Sequence, residues 1–162
     1  AEEQWRKIKD RIYTHDKVDM TMEDLDTYCK DNEVDILVID QLDKVNVTGK
    51  YNSSHEKLRE IYRQGRELAK RYNCLVIGMS QASAEGHGKS TLSFNLMENS
   101  KTGKAAEADL IIGIGKNEVE ELDVEEGYRR TISISKNKLS GTHPVFNLHI
   151  IPALSQYKSI LE

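Results

Sequence analysis

No stretch constrains the fold more than Val34-Asp35-Ile36-Leu37-Val38-Ile39-Asp40, an apolar, β-branched run that ends on a carboxylate. A run of this kind predicts a strand buried on both faces, of the sort found inside a parallel sheet. Asp40 then stands at the C-terminal tip of that strand. Ligands of open α/β sheets bind beyond such tips, so Asp40 is placed to hold Mg²⁺, directly or through water. The competing reading is a solvated strand-end or helix-capping Asp.

The flanking sequence turns one strand into an α/β pattern. Ala1 to Tyr13 is rich in helix formers, with Trp5, Ile8 and Ile12 on one face. Thr21 offers an N-cap with Asp24 three residues on, and Met22, Leu25 and Tyr28 follow at helical spacing. A polar segment with Gly49 follows Asp40, and Ser53 or Ser54 then caps a strong helix from His55 to about Tyr72. The apolar face of that helix is Leu58, Ile61, Tyr62, Gly65, Leu68, Ala69 and Tyr72. Cys74 to Met79 and Asp109 to Ile114 read as two more buried strands. Residues 82–103 form a long Gly-, Ser- and Lys-bearing loop, and loops of that length inside a compact domain are usually functional. Lys116 to Gly127 is an acidic loop, and Arg129 to Ser135 and Val145 to Ile151 alternate polar and apolar residues as a hairpin does. The expected fold is α/β: a mostly parallel sheet flanked by helices, closed by a C-terminal antiparallel hairpin.

Composition excludes several classes. At 162 residues with net charge −4, the chain is one domain that does not bind nucleic acid by bulk charge, although a local basic groove is compatible with that balance. Cys29 and Cys74 lack metal spacing and read as reduced structural thiols of a cytoplasmic protein. No run near 18 apolar residues predicts a membrane span. Ala1 is not an initiator Met and falls in what reads as mid-helix, so a fragment is expected.

Glu85-Gly86-His87-Gly88-Lys89-Ser90-Thr91 imitates the tail of a phosphate-cradling loop. The full pattern requires glycine at position 83, where the chain has Ser83, and no helix signal follows to supply a dipole for phosphate. The segment is read instead as a flexible loop bearing Lys89. Lys136 and Lys138, two apart on a strand, project the same way and suit either one phosphate or a solubilised sheet edge. Lys89, Lys101 and Lys104 suit either a nucleic-acid backbone or simple solubility. His87, His143 and His149 carry no metal spacing.

The run Arg59-Glu60-Ile61 through Cys74-Leu75-Val76-Ile77-Gly78-Met79-Ser80-Gln81 resembles the helix, strand and terminal Ser-Gln of the motor domain of DnaB-type replicative helicases. Ser100-Lys101-Thr102-Gly103 with Ala108-Asp109-Leu110-Ile111-Ile112, and Ile134-Ser135-Lys136-Asn137-Lys138 with Gly141, resemble later segments of the same domain in the same order. The resemblance covers about residues 30–150 and implies a RecA-like P-loop NTPase core. It implies that Asp40 is the Walker B carboxylate for Mg²⁺ and ATP or another NTP, and that Gln81 senses the γ-phosphate. Lys136 and Lys138 would reach a neighbouring subunit's nucleotide, and Lys89, Ser100, Lys101, Thr102, Gly103 and Lys104 would meet single-stranded DNA. The family's trans-acting residue is usually Arg; a Lys138 there trades a bidentate fork for a point charge. A homo-hexamer of phage type, with primase or a helicase loader as further partners, is also implied. The Walker A segment and catalytic Glu lie upstream of this stretch in the family, so the chain by itself is not expected to hydrolyse ATP. Two alternatives stand beside this: a RecA/RadA-type recombinase core, and a non-catalytic interaction domain of the same fold.

Overall fold

A computed structural model describes residues 2–96, 103–116 and 128–160. The short helix α1 (Glu2–Ile8) runs into a 3₁₀ turn, Lys9–Arg11, with Ile8 and Ile12 exposed. Helix α2 (Met22–Asp31) begins with a reciprocal cap: the Asp24 amide donates to Thr21 Oγ1 at 3.0 Å, and the Thr21 amide to Asp24 Oδ2 at 3.0 Å. Together they satisfy two of the donors a helix start leaves bare. Lys17 and this cap hold the Asp24 carboxyl down at about 2.

Strand β1 (Ile36–Ile39) leads through a 3₁₀ turn, Leu42–Lys44, to helix α3 (Ser54–Tyr72). Ser53 is the α3 cap, accepting from the Glu56 amide at 3.2 Å, and Asn73 ends the helix in the left-handed region at φ 50°. The apolar stripe foreseen on α3 is the one buried. Leu58, Ile61, Tyr62, Gly65 and Leu68 are its buried residues, and its apolar members pack with Met22, Leu25 and Cys29 of α2 and with Leu37, Ile39, Leu42 and Val45, forming the main core. Burial pushes the Cys29 and Cys74 thiols up, which suits inert structural cysteines.

Strand β2 (Leu75–Gly78) pairs with β1 in parallel, Ile36 opposite Leu75 through Ile39 opposite Gly78. After it come helix α4 (Gly103–Glu107) and strands β3 (Leu110–Gly115), β4 (Arg129–Asn137), β5 (Val145–Ile151) and β6 (Gln156–Ser159). These four form one antiparallel sheet in the order β3-β4-β5-β6.

Two expectations are corrected. Among the described residues the sheet is not mostly parallel: two parallel strands stand beside four antiparallel ones, because β3 hydrogen-bonds to β4 and not to β2. Nor are the apolar strands covered on both faces. Leu37 and Ile39 are buried, while Ile36 and Val38 are 58% and 54% exposed, as are Leu75 and Ile77 at 56% and 41%. The helices of this chain cover one face of the β1-β2 pair and leave the other bare. The predicted hairpin is present as β4 and β5. The acidic loop over 117–127 lies outside the described residues.

Candidate functional site

Parallel pairing brings the two candidate groups together. The Met79 amide donates to Ile39 O at 3.0 Å and the Leu42 amide to Met79 O at 2.9 Å, so the chain leaving β1 and the chain leaving β2 are laced past their strand ends. Asp40 and Gln81 emerge on these two adjacent tips, both solvent-exposed. Between them in the fold is a strained turn. Gln41 has φ 51° and ψ 57°, left-handed geometry that costs a residue with a Cβ about 1–3 kcal/mol and persists only where its surroundings over-determine it. Leu42, 4% exposed, supplies part of that constraint. It packs onto Gly78 so closely that a Cβ there would meet Leu42 Cδ2 at 2.5 Å. Gln41 Oε1 is buried with no hydrogen-bond partner among the described residues.

Behind the tips is a buried ion pair that sequence reasoning missed. Asp43, in the 3₁₀ turn after Gln41, accepts from Tyr62 Oη at 2.8 Å and Ser80 Oγ at 2.7 Å, and pairs with Lys104 Nζ at 2.7 Å. Lys104 is 1% exposed, with Nζ 3.5 Å from Ser80 Oγ and 5.6 Å from the centre of the Tyr62 ring. Burial pushes the Tyr62 hydroxyl up. The expectation that Lys104 contacts DNA is corrected here, because its ammonium is committed to Asp43 inside the protein. No local signal marks this: Lys104 follows a glycine in a polar stretch, and its partner belongs to a different strand's exit.

The far end of α4 is held by the other two candidate cations. Lys136 Nζ donates to Ala105 O and, at 3.4 Å, to Ala106 O; Lys138 Nζ donates to Ala106 O at 3.3 Å and pairs with Asp109 at 3.1 Å. Both therefore point to the same side, as their i, i+2 spacing requires. They do not decorate a sheet edge, since β4 lies between β3 and β5. Lys138, with Arg66 behind it, holds the Asp109 carboxyl below the usual carboxylate range. Burial and then Lys138 hold the Lys136 ammonium below the usual lysine range.

Residues 82–96 include a 3₁₀ turn near their start, Ala84–Gly86, and end with another, Phe94–Leu96. Between them the chain runs as turns and bends, as expected for a loop that only imitates a phosphate cradle. It leans on β3 around a cavity of about 570 Å³ lined by Ala82, His87, Lys89, Leu92 and Lys116, among others. Lys89 is exposed. Ser100, Lys101 and Thr102 lie outside the described residues, and Gly103 opens α4 against Arg59, whose Cβ would stand 3.2 Å from an added Cβ.

Among the described residues no group of three or more His, Cys, Asp or Glu is arranged to hold a metal ion. Asp40 still fits Mg²⁺, which keeps several waters and takes one or two carboxylates plus substrate phosphate oxygens. Nor is any helix of the described residues long and apolar enough to cross a membrane.

Comparison with known proteins adds to this geometry. Residues 2–159 match the family model described as the DnaB-like helicase C terminal domain. A solved structure of a DnaB-like replicative helicase and its interactions with primase superposes with a TM-score of 0.72 at 18% identity, covering 85% of this chain and 35% of that one. A second solved structure, an isolated ATPase domain, superposes with a TM-score of 0.77 at 15% identity, covering 98% of this chain and 65% of that one. The chain thus spans about a third and just under two thirds of these two solved chains. No curated protein matches it.

Proposed function

We propose, since the chain belongs to the DnaB-like helicase C-terminal domain family, that it is part of the NTP-driven motor of a replicative DNA helicase, one that translocates on single-stranded DNA and unwinds duplex. The observation that carries this is the pair of exposed polar groups, Asp40 and Gln81, on adjacent tips of one parallel strand pair. That is where open α/β sheets bind ligands. A carboxylate beside an uncharged amide supplies two parts phosphoryl transfer needs: an anion for the metal, and a donor for a phosphate oxygen or the attacking water.

In this reading Asp40 holds Mg²⁺ of the bound nucleotide, largely through water. Mg²⁺, when bound, bridges phosphate oxygens and neutralises the charge that develops on them. Gln81, uncharged, donates from its amide to the terminal phosphate and reports on its presence. Lys136 and Lys138 serve the nucleotide of a neighbouring subunit in a ring, a hexamer in the intact protein. For this they exchange the Ala105 and Ala106 carbonyls for phosphate oxygens, which as anions are the stronger acceptors. The 82–103 segment, with Lys89, Ser100, Lys101, Thr102 and Gly103, grips the DNA backbone, and a primase or loader is the expected protein partner.

The test uses the intact protein. Asp40→Asn should abolish hydrolysis while sparing much of the nucleotide binding, and unchanged turnover would refute the metal role. Gln81→Ala should uncouple hydrolysis from DNA, so a variant still stimulated by single strands to the wild-type extent would remove the sensor assignment.

A further inference from the structure

We infer that Lys104 is a positioning residue that sets the geometry of both nucleotide-facing tips through Asp43; this deepens the motor reading above and rests on it. The observation is one carboxylate shared by both tips. Asp43 is three residues past Asp40, and its Oδ2 accepts from Ser80, the residue before Gln81. A single buried cation, Lys104 Nζ, sits 2.7 Å from that oxygen and 3.5 Å from Ser80 Oγ. Moving Lys104 therefore moves the anchor of the Asp40 turn and of the Gln81 turn together.

Three features make the arrangement more than packing. Lys104 is 1% exposed, and a buried pair is a poor way to gain stability compared with apolar residues of the same volume. The turn it backs holds Gln41 at φ 51°, strain that persists only under constraint from several sides. Lys104 also belongs to α4, whose opposite end is grasped by Lys136 and Lys138. Helix α4 is thus tied at one end to the tips that face this subunit's nucleotide, and at the other to the cations assigned to the neighbour's. The proposed DNA-gripping segment runs directly into Gly103, the residue before Lys104.

The charge pair can be removed without leaving a bare ion. Lys104→Met alone strands Asp43 in a partly buried site and can simply unfold the protein, so the decisive variant is the double substitution Asp43→Leu with Lys104→Met, near-isosteric and apolar. In the intact protein, ATP turnover is measured across nucleotide concentration with and without single-stranded DNA, alongside a thermal melt. The double variant is expected to melt within a few degrees of wild type. Its DNA-stimulated kcat should fall about tenfold or more, with KM for ATP moving about twofold at most, because small misplacements of reacting groups tax the chemical step. A purely structural pair would leave the ratio of DNA-stimulated to basal turnover unchanged. An active wild type matched by a folded double variant with the same stimulation overturns this inference alone. A wild type that hydrolyses nothing with or without DNA overturns the motor reading, and this inference with it.

Discussion

Gly113→Ala tests how the loop is seated on the antiparallel sheet. A Cβ at position 113 would stand 2.5 Å from Leu92 O and 2.8 Å from Leu92 Cβ, inside the 3.0 Å that real Cβ contacts respect. The nearest obstacle is backbone, so it cannot be relieved by turning a side chain. Leu92 O is also the acceptor of Ser133 Oγ at 3.0 Å, and Ser133 is 3% exposed. Pushing the carbonyl away therefore costs overpacking strain of about 1–3 kcal/mol and a buried hydrogen bond of about 0.5–1.5 kcal/mol. A loss near 3 kcal/mol, at about 3 °C per kcal/mol for a domain of this size, lowers the melting temperature by about 9 °C. The alternative relief is for residues 88–93 to lift off β3 as a unit. In that case the melting temperature changes little, and limited proteolysis cuts faster between Gly88 and Leu92. Scanning calorimetry together with a timed digest separates the two. A Gly113→Ala protein with both wild-type melting and wild-type cleavage would show that the loop does not rest on β3 as described.

Gly65→Ala is expected to do the opposite. Gly65 lies within α3 with no atom within 4 Å of a built Cβ, so the substitution should stabilise by about 0.5–1 kcal/mol in urea unfolding. Ile61→Ala, at a residue with 0% exposure, should cost about 2–5 kcal/mol in the same assay. Acid should destabilise the fold: Asp24 and Glu60 both titrate near 2 when folded, Lys17 and Arg63 respectively being the main causes. The unfolded chain then binds more protons between about pH 4 and 2, so their contribution is present above that window and lost as pH falls through it. Asp24→Asn should flatten the slope of melting temperature against pH there. Lys89→Ala, at an exposed loop cation, should weaken single-stranded DNA binding without changing the melt, and lower the salt slope of the affinity by about one charge.

What the sequence told in advance was what is local. The Thr21 and Ser53 caps, the buried stripe of α3 and the hairpin are each written within a few residues of where they act. Asp40 and Gln81 were legible because strand, tip and polar residue follow one another along the chain, and parallel pairing then brought the tips level. What depends on which strand meets which was not legible. Apolar runs predict burial without naming the neighbour that provides it, so β3 was assigned to the parallel sheet and both faces of β1 to the core. Strand β6 escaped notice because Gln156, Tyr157, Lys158 and Ser159 are all exposed and give no alternation. Lys104 was misread for the same reason in reverse: a lysine among glycines and serines looks solvated, and only the fold reveals Asp43 waiting for it.

The bare face of β1 and β2 governs how this chain behaves as a solute. Ile36, Val38, Leu75 and Ile77 form a strip of aliphatic side chains on a two-stranded ribbon. Such a ribbon is marginal without cover, and an apolar strip beside open ladder positions invites further strands to add. Net charge −4 supplies only weak mutual repulsion against this, and salt screens it. Purified as this polypeptide alone, the protein should therefore be driven toward self-association by concentration and by salt, the two variables that leave electrostatically held contacts weaker and greasy ones stronger.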